Sequence, residues 1–155
     1  MREANAACKV LKLVTDIRDA AQCKRLADST HKQFGRVDGL VNSAFFWGTP
    51  GTAEATDLNG WKEVFNTNVI GTMNMTQAVV PIMKAQGGGA IVNISSMATI
   101  KPHTGEIGYA ASKGAMNIAT KYLAAELGAH NIRVNVARMG WMLGAPVQNL
   151  SLIHI

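Results

Sequence analysis

Short apolar runs alternate with longer amphipathic stretches along this chain, and this alternation predicts strands and helices in turn. Four apolar runs predict strands, at residues 10–14, 37–41, 90–94 and 132–136. Between them, apolar side chains recur every three or four residues, which predicts helices over residues 19–34, 57–86 and 108–127. Asp19 is expected to cap the first helix and Gly35 to end it, whereas Gly71 and Pro81 are expected to bend the second.

Strands separated by helices are typical of an α/β domain, in which a parallel, doubly wound sheet carries helices on both faces. Such sheets bind their ligands at the carboxyl ends of the strands. Four polar or glycine residues fall at or just after the predicted ends, namely Asp16, Asn42, Ser96 and Gly140. The sequence therefore predicts a functional site at this edge of the sheet.

The composition is that of an ordinary folded domain. The chain has 155 residues, of which 48% are hydrophobic and 16% charged, and this balance excludes disorder and supplies one core. The longest uncharged stretch, residues 64–83, is interrupted by polar side chains, so no membrane span is predicted. Because the first five residues lack the apolar segment of a signal peptide, we expect a cytoplasmic protein.

Charge and cysteine usage remove two further classes of function. The net charge is +5 but scattered, with Lys24-Arg25 the only adjacent basic pair, so we expect no nucleic-acid partner. Cys8 and Cys23 form no C-x-x-C pair and have no histidine at zinc spacing, so we expect reduced thiols and no metal site.

The sharpest chemical feature is a tyrosine and a lysine four residues apart, Tyr109 and Lys113, which share one face of the predicted helix. A nearby ammonium favours the phenolate, which lowers the pKa of the phenol from about 10 and suits it to general acid–base catalysis. Ser96, at the end of the third strand, is placed to hydrogen-bond a substrate oxyanion. The plainer interpretations are an exposed helix face and a helix cap.

Asn68 is a second unusual position, because asparagine is a poor choice in a helix interior. It is interpreted either as an exposed polar residue or as a side chain that holds a water molecule or a bent backbone.

Together these residues resemble the classical short-chain dehydrogenases/reductases. The segments that carry the resemblance are Gly89-Ala90-Ile91-Val92-Asn93-Ile94-Ser95-Ser96 and Tyr109-Ala110-Ala111-Ser112-Lys113, with Asn42-Ser43-Ala44 upstream. The resemblance covers about residues 9–147. It implies a Rossmann-like fold and hydride transfer between NAD or NADP and a carbonyl or hydroxyl group of an apolar small-molecule substrate.

The resemblance also assigns catalytic roles. Tyr109 would donate the proton in reduction and accept it in oxidation. Lys113 would lower the pKa of Tyr109 and bond the nicotinamide ribose. Ser96 would orient the substrate oxygen, and Asn68 would hold a water that links Lys113 to solvent.

The implied cofactor site draws on residues that follow three of the predicted strands. Asp16 with Ile17 would meet the adenine, and Gly140 and Met142 would approach the nicotinamide carboxamide. The adenine-ribose side would be lined by Asn42, Ser43 and Ala44.

The chain departs from the family at both ends. It contains no G-x-x-x-G-x-G, so we expect an incomplete sheet in which the family's first two strands and last strand are absent, and a 155-residue chain that is inactive by itself. Residues 1–149 are expected to form the partial domain. The segment 150–155 resembles a translated sequencing adapter and is expected to be non-native.

Two local departures lie within the site. Phe45 stands where the family has glycine after Asn42-Ser43-Ala44, and Met139 stands where it has proline before Gly140. Glycine permits close backbone approach and proline fixes φ, so both loops are expected to differ from the family's.

An apolar pocket is expected at the mouth of the site, from residues Phe45, Phe46, Trp47, Met97, His103, Trp141 and Leu143. A 3-oxoacyl thioester, a steroid and a lipophilic alcohol all remain candidate substrates. The resemblance implies a homodimer or homotetramer that pairs the helices predicted at 57–86 and 108–127. Two alternatives stay open: an extended relative that epimerises or dehydrates sugar nucleotides, and an inert fragment.

Overall fold

In the computed structural model, which describes residues 8–140, three parallel strands form the sheet: β1 (Gly39–Asn42), β2 (Gly89–Ser96) and β3 (Ile132–Met139). They lie side by side in the order β1-β2-β3. The register places Leu40 beside Ile91 and Ile91 beside Val134. Three of the four predicted strands and the predicted α/β class are therefore confirmed.

Within the described residues, four α-helices and one π-helix accompany the strands: α1 (Ala20–Phe34), α2 (Leu58–Phe65), the π-helix (Asn66–Gly71), α3 (Thr72–Ala85) and α4 (Ile107–Leu127). The predicted limits of α1 are confirmed by its caps. The Asp19 carboxylate accepts hydrogen bonds from the backbone N–H groups of Ala21 and Gln22, at 2.8 and 3.2 Å. Gly35 ends the helix with a φ of 79°, which glycine adopts without strain.

The core lies on one face of the sheet. Ile91, Ile132 and Val134 of the strands join Met83 of α3 and Leu127 of α4 in a single buried cluster. On the opposite face of the sheet, as far as the structure describes it, Val41 is 64% exposed, and Arg133 and Asn135 are also exposed. The two crossovers both run from β1 towards β3, so the right-handed rule puts their helices on the same side.

The prediction of a strand at residues 10–14 is wrong. These residues are described, but they form no ladder with any described strand, and Val10 and Val14 are 58% and 95% exposed. A strand is held by hydrogen bonds to a neighbouring strand, and periodicity in the sequence carries no information about whether that neighbour lies alongside.

The long helical region predicted at 57–86 is present, but it has a local change of winding. Asn66–Gly71 forms a π-helix between α2 and α3, whereas Pro81 lies inside α3 without ending it. At Gly71 a side chain would meet Ile17, since a Cβ there would lie 2.7 Å from two carbons of that residue. The wider turn also brings Asn68 onto the inner side of the helix, where it is 1% exposed.

Replacing Gly88 with alanine is expected to destabilise the fold by about 2 kcal/mol or more. Gly88 has a φ of 150°, and its Cβ would lie 2.8 Å from the backbone oxygen of Asn131. Gly114 of α4 has open space around it, so Gly114→Ala should instead stabilise the protein by about 0.5–1 kcal/mol. Urea unfolding of the two variants measures both effects. Equal stability of both variants would contradict the prediction.

No helix within residues 8–140 is long and apolar enough to cross a bilayer. The same residues contain no cluster of three or more histidine, cysteine or carboxylate side chains that would bind a metal. Met142, Trp141 and Leu143 lie outside the described part of the chain, as does the segment 150–155.

Candidate active site

A cavity of about 320 Å³ opens at the carboxyl ends of the strands, where the sequence predicts the site. Ser96, Tyr109 and Lys113 all line it. Its other walls come from the loop after β1, the end of β3 and the segment that precedes α4. Parallel strands end at the same edge, which explains why residues distant in sequence share one cavity.

The hydroxyl, the phenol and the ammonium are held by different elements. Ser96 is the last residue of β2, and its Oγ accepts a hydrogen bond of 3.1 Å from the N–H of Ala98. Tyr109 and Lys113 lie one turn apart on α4, and the Lys113 Nζ is 5.8 Å from the centre of the Tyr109 ring. The structure thus brings these three predicted residues together.

The expectation that Tyr109 has a lowered pKa is not met in this structure. Loss of solvent around the half-buried ring raises its pKa, a hydrogen bond with the Ser96 side chain opposes that effect, and the Glu106 carboxylate adds to it. Spacing on a helix predicted the proximity of Lys113, but it could not predict the loss of solvent around the phenol, which has the largest effect on its pKa. Tyr109 is therefore a protonated phenol at neutral pH.

Lys113 is a buried ammonium, 4% exposed. Desolvation lowers its pKa from 10.5 to about 8. Its Nζ donates a hydrogen bond of 2.8 Å to the backbone oxygen of Ile94 and lies 5.9 Å from the centre of the Phe45 ring. An ammonium has three donors, so this arrangement leaves capacity to bond a ligand in the cavity.

The buried lysine makes a prediction about stability and pH. Because the folded pKa is below the unfolded one, the unfolded chain binds more protons between about pH 8 and 10.5, and stability contributed at this site rises with pH in that window. The free energy of unfolding of the wild type, measured relative to that of Lys113→Met, should rise by about 3 kcal/mol from pH 7 to pH 10. Urea unfolding at both pH values measures this difference. Lys121→Met, at an exposed position of α4, serves as the control. If the difference in unfolding free energy between the wild type and Lys113→Met stayed constant with pH, the lowered pKa of Lys113 would be contradicted.

Asn68 lies behind the cavity wall and holds a loop. Its Oδ1 accepts a 2.7 Å hydrogen bond from the N–H of Phe46, and its Nδ2 donates to the Phe46 oxygen at 2.9 Å and to Ser112 Oγ at 2.9 Å. Ser112 Oγ in turn donates to the backbone oxygen of Tyr109 at 2.7 Å. Both amide hydrogens are thereby used, so the side chain is a bridge between the loop and α4.

A second cavity of about 240 Å³ adjoins the first along the same edge. Four of the predicted cofactor residues line it: Ile17, Asn42, Ser43 and Ala44. Ser43 lines both cavities, and Gly140 lines the first; the two cavities together are called the cleft below.

Asp16 lies next to this cleft but does not line either cavity. Its carboxylate binds the guanidinium of Arg18, with Nη2 at 2.7 Å, and this hydrogen-bonded pair lowers the pKa of Asp16 to about 2. Ile17 is held through its backbone oxygen, which accepts a 2.9 Å hydrogen bond from Asn74.

Sequence reasoning missed a buried polar chain beneath the site. Asn42 Nδ2 donates to Asn93 Oδ1 at 2.8 Å, and Asn93 Nδ2 donates to Thr120 Oγ1 on α4 at 2.9 Å. The sequence signal for this chain is Asn93, a polar residue that shares the inward-facing side of β2 with Ile91. Ser112 was missed because the role of a serine inside a helix depends on its hydrogen-bond partners, which the sequence does not reveal.

The parallel α/β sheet, with Ser96, Tyr109 and Lys113 around a cavity at its carboxyl edge, has the architecture of a Rossmann-like domain. The family model for short chain dehydrogenases matches residues 1–151, and the chain belongs to that family.

Curated relatives agree with this assignment. A 3alpha-hydroxysteroid dehydrogenase of Mediterraneibacter gnavus is 37% identical over 145 residues, which are 90% of this chain and 56% of the relative. The 3-oxoacyl-[acyl-carrier-protein] reductase FabG of Thermotoga maritima is 38% identical over 136 residues, 86% of this chain and 54% of that protein. The chain thus spans about half the length of these relatives.

Solved structures show the same fold. A xylitol dehydrogenase with bound NAD+ has a TM-score of 0.85 and 30% identity, covering 90% of this chain and 54% of that one. A gluconate 5-dehydrogenase of Burkholderia cenocepacia, in complex with NADP and tartrate, has a TM-score of 0.79 and 28% identity, covering 90% and 54%. Neighbours therefore bind either nicotinamide dinucleotide.

Proposed function

We propose that these residues belong to an oxidoreductase that transfers hydride between NAD or NADP and the carbonyl or hydroxyl group of an apolar substrate. The observation that carries the proposal is the convergence of Ser96, Tyr109 and Lys113 on one cavity of about 320 Å³. Candidate substrates are a 3-oxoacyl thioester, a steroid and a lipophilic alcohol, and the names of the relatives from Thermotoga maritima and Mediterraneibacter gnavus support the first two.

The residues of the cleft fit a nicotinamide dinucleotide. Lys113 and Tyr109 would hold the nicotinamide end with Gly140 and Met142, while Asp16 and the residues of the second cavity would hold the adenosine end. When bound, the nicotinamide supplies or accepts the hydride. The described residues of the cleft are compatible with either NAD or NADP.

The acid–base work falls to the chain's own residues. Because the pKa of Tyr109 is raised, its hydroxyl carries a proton at neutral pH, as reduction of a carbonyl requires. Ser96 would orient the substrate oxygen beside it. The Lys113 ammonium would stabilise the phenolate that forms when the proton leaves. Oxidation of an alcohol reverses the proton transfer.

The proposal is tested on the protein expressed from the full coding sequence that contains these residues. Reduced nicotinamide dinucleotide carrying deuterium on its transferable position is incubated with an apolar ketone, and the product is analysed by mass spectrometry. Deuterium on the new carbinol carbon is expected. Turnover of sugar nucleotides without net consumption of the reduced cofactor would instead support the epimerase alternative, and the absence of both reactions would overturn the proposal.

The proposal extends to assembly and location. Ile118 and Tyr122 on α4 are 53% and 76% exposed, and a homodimer or homotetramer would cover this surface. Light scattering of the full protein tests this, and a monomer would contradict it. A cytoplasmic location suits the free thiols of Cys8 and Cys23.

A further inference from the structure

Three consecutive aromatic residues follow β1, and all of them are partly open to solvent. Phe45 is 60%, Phe46 46% and Trp47 44% exposed. Large exposed aromatic groups in one short loop form an apolar patch of the kind that marks a binding surface. Two of the three, Phe45 and Trp47, line the cavity that contains Tyr109.

The loop is held in place from behind. Asn68 binds both the N–H and the oxygen of Phe46, at 2.7 and 2.9 Å, and Asn68 is itself tied to α4 through Ser112. A bidentate hold on the middle residue fixes the backbone of its two neighbours. Phe45 and Trp47 are therefore presented from a rigid support rather than from a loose loop.

Both rings contact the same phenol. The ring centres of Phe45 and Trp47 lie 6.2 and 6.5 Å from that of Tyr109, and both meet it edge to face, at 62° and 70°. The remaining apolar wall includes the thioethers of Met97 and Met139. A substrate whose oxygen reaches Tyr109 must thus pass its adjacent carbons between two rigid rings and two adaptable side chains.

The size and chemistry of this space select for rings. An apolar cavity of about 150 Å³ holds one benzene molecule, so a cavity of about 320 Å³ has room for the nicotinamide ring and one six-membered ring of a substrate, while a second, fused ring would lie against the exposed parts of Phe45 and Trp47. A linear polyol would lose the hydration of each hydroxyl that faces these rings without gaining a hydrogen bond in return. An open alkyl chain would lose rotamer freedom that a fused ring system does not have.

We propose that Phe45 and Trp47 are specificity-determining residues, which select a carbonyl or secondary alcohol on a fused alicyclic ring over a polyol or an open chain. This inference rests on the proposed oxidoreductase function and narrows its substrate class.

The test compares two ketones of ten carbon atoms, 2-decalone and 2-decanone, with a ketopentose as the polyol. For the protein expressed from the full coding sequence, kcat/KM for 2-decalone should exceed kcat/KM for 2-decanone and for the ketopentose by at least about ten-fold. Phe45→Leu and Trp47→Leu should remove most of this preference, whereas Trp47→Phe, which keeps a ring, should retain it. Phe34→Leu, which removes an exposed ring on α1, is the matched control and should change nothing.

Binding provides a second readout that does not need turnover. In NMR spectra of the protein without cofactor, 2-decalone should shift the Trp47 indole signal, and 2-decanone should shift it less. If ketones are reduced but 2-decanone is used as well as 2-decalone, ring selection is overturned while the oxidoreductase function stands. If 2-decalone shifts the indole but no ketone is reduced, the proposed reaction fails and the ring site stands.

Discussion

Tyr109→Phe is expected to lower kcat/KM for ketone reduction by about 10²–10⁴-fold, the range that general acid catalysis contributes. Phenylalanine keeps the ring that Phe45 and Trp47 contact, so the cavity wall survives and only the proton donor is lost. The loss should therefore fall on kcat and leave substrate affinity close to that of the wild type. Steady-state kinetics on the full coding sequence measure both constants.

Tyr122→Phe is the matched control. Tyr122 is the other tyrosine of the chain, it lies on the same helix, and it is 76% exposed outside both cavities. Removing its hydroxyl should leave the kinetics unchanged. If Tyr109→Phe reduced ketones as fast as Tyr122→Phe does, the acid–base role of Tyr109 would have to be abandoned.

The secondary structure could be predicted largely from local pattern, because most of its limits are set by local contacts. Asp19 and Gly35 terminate α1 through hydrogen bonds within four residues, and the apolar run at 90–94 lies inside β2. The failure at residues 10–14 has the opposite cause. A strand needs a neighbour, and that neighbour is not specified by the run itself.

The site shows the same division. The spacing of Tyr109 and Lys113 predicted their proximity because it depends only on helix geometry. The pKa of Tyr109 could not be predicted, since it depends on how much solvent the surrounding loops exclude. Asn68 was recognised as unusual, but its partners, Phe46 and Ser112, lie 22 and 44 residues away and are joined only by the fold.

Asn68→Asp is expected to destabilise the fold by about 3–5 kcal/mol at neutral pH, as an uncompensated buried charge does. Asn68 is 1% exposed, and its Nδ2 donates to the Phe46 oxygen and to Ser112 Oγ. A carboxylate has the same shape but no hydrogen, so it would face the Phe46 carbonyl as a second acceptor. Urea unfolding as a function of pH measures the effect, with Asn135→Asp on the exposed face of β3 as the control.

The pH dependence of this variant distinguishes a lost donor from a loss of packing. Burial and the opposing carbonyl would raise the pKa of the new carboxyl above its unfolded value of about 3.9. The folded state then binds more protons than the unfolded state between those two values, so the destabilisation is complete above the folded pKa and diminishes as pH falls through it. A protonated carboxyl regains one O–H donor for the Phe46 oxygen. The loss of unfolding free energy in Asn68→Asp, relative to Asn135→Asp, should therefore become smaller as the pH falls from 7 to 4. If this loss were the same at both pH values, the hydrogen bonds of Asn68 would not be what holds the loop at residues 45–47 to α4.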